Sequence, residues 1–399
     1  MNLALGLFSF IIITLSTPLA TYYFNEPRLK SLIWLVALNS LIVPFSLIQR
    51  RLLEKDIEFE TLSKVDILAV CLSSILAISM AILGLGIFSL IAQSLSLNLF
   101  YVIFLVKSCD WKPSREFNFN EVKGMLKFSV KYKFGNLANY FERNTDYVII
   151  GRVLDSTLLG YYSFSYNIMF FPVKRISYVF STILFPAFAS IKYSRKKVLN
   201  GYLLSLQLIS QITFPLMLFV ALFSTFIVEN VFGEKWMPAV QILTIIAWAG
   251  AIQSIDQISN ALLPAIDKED VYIQIGIVRT IITASAVIIG INYGLVGVAY
   301  AILSAKLLHF LINLILIRIH VKLSITKTLK YLFPPLFSCL LTYICYMFIK
   351  NDLVFVNCIT STFATIIVLC ATYLSTLFII NTKNINYCYK LIVKKIKIK

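Results

Sequence analysis

Apolar residues run in blocks of about twenty along almost the whole chain, from Leu3 to Ile380, with short polar segments between them. A block of that length crosses the hydrocarbon core of a bilayer as one helix. Twelve blocks predict twelve spans: 3–24, 31–49, 65–85, 87–106, 127–150, 158–190, 201–228, 238–262, 271–291, 294–317, 329–349 and 354–380. The fifth departs from the pattern, because Lys131, Lys133, Glu142, Arg143 and Asp146 fall inside it. The longest connections, 50–64 and 107–126, are strongly charged and too short to fold as a catalytic domain. The expected class is an all-α polytopic membrane protein.

The blocks also repeat. Phe24-Asn25-Glu26 closes the first span as Phe232-Gly233-Glu234 closes the seventh, 208 residues later. Gly86 to Leu90 matches Gly294 to Val298 at the same offset, and Phe117 to Glu121 parallels Leu323 to Lys327 at 206. Spans one to four therefore read as a copy of spans seven to ten. This divides the chain into an incomplete four-helix N-terminal lobe at 1–124, a six-helix lobe at 125–320, and a C-terminal helix pair with basic tail at 321–399. Counterparts of spans five and six would fall before Met1, so a complete relative is expected to carry on the order of eighty more N-terminal residues. With no basic stretch ahead of the first apolar run, a cleaved signal peptide is not expected.

Composition agrees with the pattern: 59% hydrophobic and only 14% charged, where a soluble domain carries about a quarter charged residues. Charge adds the orientation. The net formal charge of +17 comes from 36 Lys+Arg against 19 Asp+Glu. Twenty-four of the basic residues lie in the tail and in connections on the side of the C-terminus; five (Arg28, Lys30, Arg152, Lys235, Lys350) lie opposite. By the positive-inside rule both termini face the cytoplasm. Basic residues placed between spans in this way argue against nucleic acid as a partner and for membrane lipids. The tail from Lys390 to Lys399 can meet anionic headgroups at about 1 kcal/mol per basic residue. Seven cysteines without a Cys-x-x-Cys pair, and only His309 and His320, offer no zinc site, and no cofactor is expected.

The other seven cations lie within spans: Lys131, Lys133, Arg143, Lys174, Arg175, Arg279 and Lys306. Each costs about 2.5–3.5 kcal/mol at a span centre and so calls for a cavity or a partner. Lys174 and Arg175 lie fourteen and fifteen residues past Gly160, about 21 Å deep and too far to snorkel easily. They follow Pro172 and have no nearby acid in sequence, which favours a polar lumen. Asn136, Asn139, Arg143 and Asp146 share one helix face. Two readings stay open there: a lumen wall holding an anionic group near Arg143, or a neutralised network with Glu142 or Asp146. Arg279 and Lys306 either line the same lumen or pair with Asp256 or Asp146. His309 reads as a helix-interface residue rather than a proton relay, and Asp66 as a snorkelling end residue.

Asn139-x3-Arg143-Asn144-x-Asp146-Tyr-Val-Ile-Ile-Gly151-Arg152-Val-Leu154, then Leu159-Gly160-Tyr-Tyr162-x3-Tyr166, resembles two successive helices of Wzx-type polysaccharide-export and O-antigen flippases. These belong to the multidrug/oligosaccharidyl-lipid/polysaccharide superfamily. Leu184-Phe185-Pro186-Ala187, Val231-Phe-Gly233-x-x-Trp236-x-Pro238-Ala239 and Tyr293-Gly294-x-x-Gly297-x-Ala299 match in the same order. The resemblance covers nearly the whole chain, short of the family's first two helices. It implies a bacterial inner-membrane transporter, not an enzyme, that moves an undecaprenyl-diphosphate-linked oligosaccharide by alternating access. It also implies a glycan polymerase and export machinery as partners. Lys174, Arg175, Arg143, Arg279 and Lys306 are the candidate cargo-binding cations, since the diphosphate is the charged part that must cross. Glu142, Asp146 and Asp256 are the coupling or pairing acids. The alternatives are a small-molecule antiporter of the same superfamily, which calls for an acid-rich lumen, and a truncated inactive relative.

Overall fold

The computed structural model describes residues 2–56, 58–109, 140–141, 144–353 and 359–396. The expected fifth span lies largely outside them, Glu142 and Arg143 included. Described residues that carry secondary structure are helical. They form two compact units, Met1–Met125 and Leu126–Lys399.

In the first unit α1 (Asn2–Phe24), α2 (Leu29–Ile42), α4 (Phe59–Ile82) and α5 (Ile87–Ser108) follow the first four apolar blocks. A short amphipathic α3 (Leu47–Lys55) continues α2 after a 44° bend at Pro44 and Phe45. α1 packs on α2, α4 on α5, and α2 on α5. The core is small, built on Leu53, Leu62, Val65 and Leu105. Leu15, Leu19, Ile67 and Ile82 stay exposed along the helices, a surface that suits lipid and not water. Asp66 does not snorkel alone: both of its carboxylate oxygens accept from Arg50, at 3.4 Å, and Arg50 lies over the Tyr101 ring.

In the second unit a helix at 144–153 (α6) leads into α7 (Ser156–Ile191), whose N-cap Asp155 accepts from Leu158 N at 2.7 Å. α8 (Arg195–Leu222), the short α9 (Ser224–Ile227), α10 (Val240–Ala265), α11 (Glu269–Gly290) and α12 (Gly294–Val321) follow, then α13 (Ile325–Leu353) and α14 (Ile359–Ile396). α10 is the hub, packed on α7, α8 and α12. The main core lies here, around Tyr162, Tyr202, Phe188, Met217 and Leu243. At the loop end Lys192 Nζ bonds both Asp267 oxygens, at 2.8 and 3.1 Å; these hydrogen bonds hold its pKa above the ordinary lysine value.

The sequence repeat recurs in the backbone. Asn25 and Gly233, 208 residues apart, both turn at positive φ (53° and 89°) where one span ends. Gly86 and Gly294, at the same separation, both open the next helix at positive φ (51° and 68°). Helix pairing repeats as well, α8 on α10, α11 on α12 and α10 on α12 matching α1 on α2, α4 on α5 and α2 on α5. Eight helical segments among the described residues are long and apolar enough to cross a membrane, or nine with the bent α2/α3 pair. One, Asp270–Val321, is 52 residues long and contains both α11 and α12.

Candidate functional site

Three groups of charged residues occur within the spans of the second unit, and they differ in kind. Lys174 and Arg175 stand on α7, two and three residues past Pro172. Both are exposed. Arg175 rests over the Phe171 ring at 5.6 Å, and among the described residues neither forms an ion pair.

Asp146, on α6, is buried. It accepts from the Tyr162 hydroxyl and from the backbone N of Tyr147 at 3.0 Å. Tyr147, Tyr162 and Tyr166 pack edge-on or tilted around it, with ring centroids 5.4–6.0 Å apart. Lys306 of α12 lies within Coulombic range of the carboxylate. Lys306 is thus near Asp146, one of the two acids weighed for it.

Arg279 turns inward, 4% exposed. Its guanidinium donates to Asn260 Oδ1 at 3.0 Å and to Asn313 Oδ1 at 2.6 Å. Asn313 Nδ2 in turn donates to Asp256 Oδ1 at 2.7 Å. Arg279 and Asp256 are thus joined through one carboxamide, in a column that ties α10, α11 and α12 together. Such a network pairs polar groups across three helices, which suits a packed bundle in lipid. His309 lies one turn from Asn313 on the same face of α12 and is also buried.

Of the expected site residues, the structure therefore joins Arg279 to Asp256 and sets Lys306 by Asp146. Lys174 and Arg175 share no hydrogen bond with either group among the described residues. Asn260, Asn313 and the three tyrosines were missed as site-builders. Asn313, a lone carboxamide four residues after His309 in an apolar run, was the available signal.

A family model described as "Polysaccharide biosynthesis protein" matches residues 1–241. The teichuronic acid biosynthesis protein TuaB of Bacillus subtilis (strain 168) is 27% identical over 343 residues, covering 84% of this chain and 70% of its own length. The lipopolysaccharide biosynthesis protein WzxC of Escherichia coli (strain K12) is 24% identical over 318 residues, 78% of this chain and 64% of its own. The chain thus spans about two thirds of the length of these relatives. Among solved structures, the lipid II flippase MurJ in an inward closed conformation superposes with a TM-score of 0.73 at 17% identity, over 96% of this chain and 84% of that one. An inward-facing multidrug resistance MATE transporter of the MOP superfamily gives 0.62 at 16% identity, over 80% and 79%. The fold is that of these transporters, and the chain belongs to the polysaccharide biosynthesis protein family whose model it matches.

Proposed function

We propose that this chain is a flippase for an undecaprenyl-diphosphate-linked oligosaccharide, an O-antigen, capsule or exopolysaccharide unit. It carries the lipid from the cytoplasmic to the outer leaflet of the bacterial inner membrane by alternating access. One observation carries the reading: two adjacent cations stand exposed midway along α7, without a carboxylate partner among the described residues. A diphosphate is a partner of matching charge, bound by charge-assisted hydrogen bonds. The names of the relatives, which concern surface polysaccharides, support the cargo class. On the same reading Arg143 adds to the site, and residues 1–124 form four helices of a six-helix lobe.

The test is complementation of a flippase-deficient strain of matching glycan. Lys174→Ala and Arg175→Ala are compared with wild type at equal membrane abundance. Each is expected to lower surface glycan at least tenfold, and the double variant to abolish it. Undiminished glycan in both single variants overturns the role given to these cations.

A further inference from the structure

One turn outward of the Arg279–Asn313–Asp256 column, each of the three helices carries a buried polar atom. Thr283 follows Arg279 by four residues on α11. His309 precedes Asn313 by four on α12. Gln253 precedes Asp256 by three on α10, on the face that Asn260 also occupies seven residues later. Hydrogen bonds of the column hold the three helices in register, and each of these residues lies one turn, about 4.5–6 Å, along its helix from a column member. Gln253, Thr283 and His309 are 8%, 3% and 1% exposed. Gln253 Oε1, Thr283 Oγ1 and His309 Nε2 each lack a hydrogen-bond partner.

Three orphaned polar atoms in a buried bundle are costly unless something joins them. We propose that Gln253, Thr283 and His309 together bind one buried water molecule. The valences match. With the neutral imidazole's proton on Nδ1, Nε2 is an acceptor. Water donates to Nε2 and to Gln253 Oε1 and accepts the Thr283 hydroxyl proton, which makes three bonds, the usual number for a buried water. A metal cation does not suit the place, because Arg279 and Lys306 stand one turn away on either side. An anion does not suit it either, since only the threonine hydroxyl can donate. The water extends the column outward, from the Asp256 layer toward Lys306.

The purified full chain in nanodiscs provides the test. A structure with resolved solvent is expected to show density within about 3 Å of all three atoms; a dry site there overturns the proposal and requires no variant. Thr283→Val keeps the side-chain shape and removes the hydroxyl. It is expected to lower the melting temperature by about 2–4 °C, because a bound water loses its donor. If the three atoms are dry, the same change removes an orphan and leaves the temperature level or higher, which refutes the site. Gln253→Met, alone and with Thr283→Val, asks whether the atoms share one guest. A double variant shifted by less than the sum supports a common water, and strict additivity contradicts it. A melting temperature that rises with sodium, potassium or chloride at constant ionic strength assigns the site to an ion and also overturns it.

Discussion

At the scale of single residues, the intramembrane cations separate by what surrounds them. Sequence depth places Lys174, Arg175, Arg279 and Lys306 inside the bilayer; Arg279 and Lys306 fall in a segment apolar enough to cross a membrane, whereas α7, which carries Lys174 and Arg175, is not among such segments. Sequence could not separate the exposed pair from buried Arg279, because the groups that engage Arg279 lie 19 and 34 positions away on other helices. Helical periodicity reports which residues share a face of one helix, and nothing about which face of a second helix meets it. Arg279→Met is expected to strand Asn313 and Asp256 as buried polar groups and to cost about 3–5 kcal/mol, as breaking a buried ionic network does. Replacing Asp256, Arg279 and Asn313 together by Leu, Met and Leu should recover most of that loss. Thermal unfolding of the single and triple variants in one detergent checks both; a single variant as stable as wild type contradicts the network.

At the scale of elements, the helices were legible because their signal is local: eleven of the twelve expected spans coincide with helices. Their ends were less so. α2 bends and continues as α3 past the expected stop at 49, and α14 runs on to Ile396, well beyond 380. Two joints set how these helices meet. Gly290 and Gly297 bring α11 and α12 so close that a Cβ on Gly290 would lie 2.7 Å from the Gly297 carbonyl oxygen. Gly290→Ala is expected to cost about 1–3 kcal/mol by overpacking, read as a lower melting temperature. At the other end α12 stops at Lys322 in the left-handed conformation, φ 55°. Arg195 donates to the terminal carbonyls of Val321 and Lys322, at 3.1 and 3.3 Å. Lys322→Gly removes the Cβ strain and should stabilise by about 1 kcal/mol, whereas Arg195→Ala should destabilise by about 0.3–1 kcal/mol. Opposite signs from two neighbouring substitutions make the cap a sharp target for denaturation measurements.

At the scale of the whole molecule, the repeat was the long-range feature that the sequence disclosed, since a fixed offset needs no knowledge of contacts. It did not disclose how unevenly the helices are packed, with the last second-unit span, Thr362–Ile380, as open as α4 at 22% buried. Eleven per cent of the α1 span is buried, 22% of α4 and 17% of α5, against 61% of α8 and of the Glu234–Ala265 segment. Whatever covers the first unit within the bilayer is apolar, lipid or helix. On the positive-inside expectation, reporter fusions after Lys55, at Arg195 and at the C-terminus should all report the cytoplasm, with a fusion at Lys235 outside. Any one on the wrong side breaks the assigned topology. The carboxamide bridge from Arg279 to Asp256 has a consequence for descent as well. Exchanging Asn313 for an apolar residue removes a hydrogen bond from Arg279 and from Asp256 at once, so lineages of this protein should retain or lose Asp256, Arg279 and Asn313 as a set. On the proposed function Lys174 and Arg175, which form no ion pair among the described residues, should be kept together wherever the cargo carries a diphosphate.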